Sequence, residues 1–105
     1  MTLKVYAVIL ETIRGMRPGI EQIGRRDADL GRQLRRAVSS VALNTAEGAG
    51  NEAGHRRERF RSALGSAKET RACLEVADAL GYAELDVAMV GRLDAIAAQL
   101  YRLSH

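Results

Sequence analysis

Between residues 33 and 50 the chain reads QLRRAVSSVALNTAEGAG, and the spacing of its apolar residues leaves little choice of fold. Leu34, Ala37, Val38, Val41 and Thr45 recur at intervals of three and four. That gathers them on one side of an α-helix but scatters them over both faces of a strand. Leu30 extends the series upstream, and the opposite side carries Arg32, Arg35, Arg36 and Ser39. Two polar residues, Asn44 and Glu47, fall within the apolar stripe, and polar groups on a core-facing surface require partners.

The helical spacing recurs along the chain. A first helix is predicted from an N-cap at Thr2, with a stripe through Leu3, Ala7, Leu10 and Ile13 that continues weakly to Ile20 and Ile23. Arg17-Pro18-Gly19 interrupts it, because proline lacks a backbone donor and disfavours helix at the residue before it. Either a kink or two shorter helices follow, and the resumed apolar spacing favours the kink. Gly24-Arg25-Arg26-Asp27 reads as a turn, with Asp27 or Asp29 capping a second helix that runs to about Gly48. Gly48-Ala49-Gly50-Asn51 closes that helix with residues that mostly tolerate left-handed backbone.

A third helix begins after Gly54, carries Phe60, Ala63, Leu64, Ala67, Leu74 and Ala77 on one face, and stops at Gly81. Cys73, Val76 and Leu80 form an offset second stripe, read as an interface beyond the monomer core. The fourth helix starts near Glu84 with Leu85, Met89, Leu93, Ile96, Leu100 and Leu103 inward. Gly65 and Gly91 lie inside helical patterns, where each costs about 1 kcal/mol relative to Ala, so close helix approach is the expected compensation.

A chain of 105 residues with 47% apolar content makes one domain, residues 1–105. With one Phe and no Trp but many Ala and Leu, it suits closely packed helices. Four helices with short connections predict an all-α, left-handed, antiparallel up-down-up-down four-helix bundle, helix 1 kinked at Pro18. The lone Cys73 excludes an internal disulfide framework and suits a reducing cytoplasm. No apolar run reaches the roughly 20 residues of a membrane span, and the short apolar start reads as helix rather than leader.

Net charge is only +3, but it is localised: residues 25–61 hold nine arginines against five acids, while the remainder sums to −1. Arg25, Arg26, Arg32, Arg35 and Arg36 surround the start of the second helix; Arg56, Arg57, Arg59 and Arg61 surround the start of the third. In an antiparallel pair these are two basic patches at opposite ends, able to contact phosphates. The competing reading is a solvated face with local ion pairs, for instance Glu52 with Arg56. The aromatics Tyr6, Phe60, Tyr82 and Tyr101 are mostly expected inward, so binding should be directed at the backbone and sensitive to salt.

Asn44 and Glu47 on one helix, and Ser66 and Glu69 on the next, are each three residues apart, so the two pairs can meet in a hairpin. The favoured reading is a buried hydrogen-bonding cluster that sets helix register, an acid being answered by Arg35, Arg36 or Arg71. A di-iron site needs Glu-x-x-His repeats on facing helices, and His55 and His105 are not so placed. Ser39, Ser40 and Ser66 have no histidine partner for nucleophilic chemistry. The expectation is a protein without catalysis, metal or cofactor.

QLRRAVSSVALNTAEG followed by RFRSALGSAKETRACLEVADALGY resembles the bacterial four-helix bundle family encoded in intervening sequences of large-subunit ribosomal RNA genes. It is similar also to the accessory proteins of diversity-generating retroelements. The likeness covers residues 33–82, with Asn44, Ala46, Glu47, Gly48, Ala63, Leu64, Gly65, Ser66, Glu69, Leu80, Gly81 and Tyr82 at matching places. It departs at Ala42, where that family commonly has proline, and at Ala49, where it has an aromatic residue; the departure implies a straighter second helix. The resemblance implies a non-enzymatic homo-oligomer, often a ring of five, with a basic surface and an RNA, DNA or reverse-transcriptase partner. A scaffold recruiting a protein such as a reverse transcriptase is the alternative role.

Overall fold

Apolar residues spaced for helix give helix throughout. The structure, a computed structural model, describes residues 4–50 and 53–105, which fold into α1 (Lys4–Arg26), α2 (Ala28–Gly50), α3 (Ala53–Ala79) and α4 (Val87–Ser104). Thr2, Leu3 and Asn51 lie outside the described residues. The start of α1, the end of α2, the start of α3 and the end of α4 share one apolar cluster around Ile9, Val41, Phe60 and Leu100. The opposite ends share a second, around Ile23, Leu34, Ala77 and Met89. Neighbouring helices therefore run in opposite directions, and the bundle measures 42 × 23 × 20 Å.

All six core positions expected on α2 are buried. On α1 the buried face is Val5, Ile9, Thr12, Met16, Ile20 and Ile23, offset from the expected stripe: Ala7 is exposed and Leu10 and Ile13 are half-buried. Residues 5–10 are apolar at nearly every position, so that segment alone cannot set the face; Met16, Ile20 and Ile23 downstream do. Helix α1 runs unbroken through Pro18, which lies on its exposed side, so the two-helix alternative does not hold.

The expected turn at residues 24–27 contracts to Asp27 alone. Asp27 accepts from the Leu30 amide at 3.0 Å, a side-chain cap on α2. So abrupt a reversal brings the two backbones together, and a methyl group built at Gly31 would lie 2.7 Å from the Gly24 Cα. Gly24 is thus a packing residue inside α1 rather than a turn residue. The far end of α2 follows the same logic: helix continues to Gly50, and a methyl at Gly48 would lie 2.7 Å from the Phe60 ring. Gly48 is needed for close approach, not for left-handed backbone, which among the described residues occurs only at Gly81, φ +77°.

Gly81 ends α3 as expected. The Tyr82 amide donates to the Ala77 carbonyl at 2.8 Å and the Gly81 amide to Asp78 at 3.0 Å, a Schellman closure. The connection then runs to Asp86, whose carboxylate caps α4 by accepting from the Met89 amide at 3.1 Å. Leu85, expected on α4, lies in this connection and is half-buried. Of the offset stripe on α3, Cys73 is core, while Val76 and Leu80 are exposed. Gly65 and Gly91 have no neighbouring atom within 4 Å of an added methyl, so no helix within the bundle approaches them.

These glycines should separate experimentally. Gly31→Ala and Gly48→Ala should each destabilise the fold by about 1–3 kcal/mol through overpacking. Gly65→Ala, in open space, should stabilise it by about 0.5–1 kcal/mol through helix propensity. Urea unfolding followed by circular dichroism reads both signs.

Candidate nucleic-acid interface

Burial of Leu30, Leu34, Val38, Val41 and Thr45 turns the other side of α2 outward. Arg32, Arg35 and Arg36 are exposed there, one helical turn covering the three. They line one wall of a shallow groove that continues past Ser39 and Leu43 to Asn44 and Glu47. A second cleft, over the Gly24 and Gly31 crossing, brings Arg25 from α1 beside Arg32 and Arg35. Helices α1 and α2 therefore pool their arginines, as expected for the start of α2.

Not all nine arginines are available to a ligand. Arg32 is hydrogen-bonded to Asp29, Arg26 lies over the Tyr82 ring at 5.5 Å and Arg56 over the Phe60 ring at 5.6 Å. Arg59 faces Glu47 at 3.6 Å, and Arg61 donates to the Ser104 carbonyl at 3.2 Å. Arg25, Arg35 and Arg36 make no ion pair among the described residues. Arg57 is exposed. Glu52, the expected partner of Arg56, is outside the described residues. The start of α2 thus holds the more accessible positive charge, and the start of α3 spends more of its arginines on the protein itself.

The four-residue polar cluster divides. Asn44 donates to the Ser40 carbonyl at 3.0 Å and to its hydroxyl at 2.9 Å. Ser66 donates to the same hydroxyl at 2.8 Å, across from α3 to α2. Asn44 and Ser66 therefore meet, but through Ser40, a hub that its place four residues before Asn44 could have signalled. Glu47 and Glu69 stay outside this network on the exposed surface. Glu47 pairs with Arg59 rather than Arg35, Arg36 or Arg71, and Arg71 is held by Asp94 at 2.6 Å and by Glu75 at 3.7 Å. Glu69 lines a cleft with Asp29, Arg32 and Arg36.

Apolar and aromatic side chains also reach the surface. Leu43 is 68% exposed within the α2 groove. Tyr101, one of four aromatics mostly expected inward, is 55% exposed. Among the described residues no three His, Cys, Asp or Glu side chains gather to hold a metal ion. None of the described helices is long and apolar enough to cross a membrane.

The family model described as 23S rRNA-intervening sequence protein matches residues 20–102, from the second half of α1 to the last turn of α4. No curated protein and no solved structure matches the chain.

Behind this surface, burial raises the Cys73 thiol above its ordinary pKa, and the nearby Glu69 charge adds to the effect. A thiol whose folded pKa is raised contributes stability that is present below its unfolded pKa, about 8.5, and lost as pH rises toward the folded value. Unfolding free energy should therefore fall as pH rises above about 8.5. Cys73→Ala, although less stable overall, should show a flatter profile in parallel urea titrations.

Proposed function

Because the chain belongs to the 23S rRNA-intervening sequence protein family, we propose that it is a non-enzymatic, homo-oligomeric accessory protein. It binds the backbone of RNA or DNA, in the cytoplasm, with little sequence preference. The observation that carries this reading is the accessible arginine surface of Arg25, Arg35 and Arg36, with Arg32 between them. Among the described residues Arg32 is engaged only by Asp29, whose side chain is 91% exposed. Such a pair contributes at most about 1 kcal/mol and exchanges readily for a phosphate. The stripe sits on the convex side of a helix, with no aromatic residue in its two grooves. Contacts of this kind position a phosphate backbone and read no bases.

Self-association is supported by apolar side chains left on the surface: Leu43, Val76, Leu80 and Val87, the last 78% exposed. A ring of subunits, five by the resemblance, would bring several α2 stripes into one assembly and multiply phosphate contacts. The second reading is a scaffold that recruits a protein such as a reverse transcriptase. Val76 near the end of α3 and Leu80 just past it, both exposed, offer a small apolar patch for such a partner.

Four phosphate contacts correspond to a loss of about 100-fold in affinity between 50 and 200 mM salt. Fluorescence anisotropy with a generic RNA and DNA should show that dependence. Arg35→Glu with Arg36→Glu should abolish most binding and reduce the salt slope by about 2. Absence of wild-type binding at low salt rejects the reading, and capture of a partner protein by the charge-reversed variant favours the scaffold.

Sedimentation velocity checks the assembly separately. Wild type should sediment as a closed oligomer, and Leu80→Asp with Val87→Asp should shift it toward monomer without loss of helicity. A monomer at every concentration rules the oligomer out.

A further inference from the structure

We propose that the last turn of α4 carries a stacking site for an unpaired nucleobase, formed by Tyr101 and His105. The inference rests on the nucleic-acid reading but not on the α2 stripe. The two rings stack with centroids 4.0 Å apart and planes 22° from parallel. His105 covers one side of Tyr101, yet the tyrosine remains 55% exposed, so the pair still offers open ring surface. The other aromatics are withdrawn: Phe60 is buried, and Tyr6 and Tyr82 are half-buried.

The platform is held in place. His105 Nδ1 lies 2.9 Å from the Tyr101 carbonyl, and in the tautomer with hydrogen on Nδ1 it donates there, orienting the imidazole over the phenol ring. Ser104 Oγ donates to the same carbonyl at 3.0 Å. Preorganisation of this kind lowers the ordering cost of a third ring added to the stack.

Cations flank it. Arg61 donates to the Ser104 carbonyl at 3.2 Å, which fixes the start of α3 against this turn. Arg57 lies one turn earlier on α3, on the same side of that helix. Arg102 and Lys4 line a shallow groove at the same end of the bundle. Exposed aromatic rings and cations at one end of a protein are the combination that single-strand sites use: rings stack on bases of any sequence while cations follow the phosphates. A duplex keeps its bases inside the helix, so this site takes single strands, or the unpaired loops and ends of a folded RNA.

The test uses the full chain with short single-stranded RNA and DNA containing 2-aminopurine, and the duplexes made from them. Wild type should quench the single-stranded probes. Tyr101→Ala should lose the quench and weaken single-strand binding about 5- to 100-fold, with duplex affinity unchanged. Tyr101→Phe, which keeps the ring, should behave as wild type, and circular dichroism confirms that the exposed position leaves the helices intact. Arg35→Glu with Arg36→Glu should instead weaken single strand and duplex together. Wild-type affinity of Tyr101→Ala for single strands overturns this inference while leaving the proposed function standing. Failure of wild type to bind either form overturns both.

Discussion

Two glycine contacts set the position of α2, and the rest of the molecule is arranged around that helix. Gly31 meets the backbone of α1 at Gly24, and seventeen residues later Gly48 meets the ring of Phe60 on α3. A helix held against different neighbours at its two ends cannot rotate about its axis without driving backbone or ring into a Cβ. The rotation fixed in this way buries Leu34, Val38, Val41 and Thr45, and it sends Arg32, Arg35 and Arg36 outward as a consequence. The core and the arginine surface are therefore two aspects of one constraint.

That constraint explains which parts of the fold were legible in the sequence. On α2, apolar and charged residues alternate cleanly at helical spacing, and every expected core position is buried. On α1, residues 5–10 are apolar almost throughout, so local periodicity carries no direction and the face was misread. The glycines show a further limit. The frequency of glycine in turns and caps points Gly24 and Gly48 to those roles, but their actual use, close approach to a specific neighbour, depends on how the helices pack. Gly65 and Gly91 were read as close-approach residues and meet nothing within the bundle. A mid-helix glycine announces that a side chain is absent; it does not say which surface benefits.

The candidate site was legible in composition and less so in connectivity. Residue spacing correctly placed the arginines of α2 on one face. It could not show that Arg56 covers Phe60, that Arg59 faces Glu47 or that Arg61 reaches Ser104, since each partner is set by the packing of two helices. The polar cluster forms only in part, for a related reason. Asn44 and Ser66 need a partner close to the helix–helix seam, and Ser40 supplies it. Glutamate is longer and its charge is costly to desolvate, so Glu47 and Glu69 extend into solvent instead of entering the seam. Thr12, Thr45 and Thr70 do enter the core, because each hydroxyl bonds the carbonyl one turn earlier on its own helix and needs no partner from another.

The two ends of the bundle differ in what they can contribute to recognition. At the end where α2 begins, the guanidinium groups stand clear of aromatic rings, except for Arg26 over Tyr82, and a phosphate meets charge alone. At the end where α4 finishes, Arg61 is tied to the chain by its contact with Ser104, and the open ring of Tyr101 lies one turn away. Charge without rings follows any backbone, single or double; a ring beside fixed charge can tell an unpaired base from a paired one. The two features lie toward opposite ends of a bundle 42 Å long. A folded RNA with a helical stem and an unpaired loop offers complementary chemistry to both, and a plain duplex satisfies only the first.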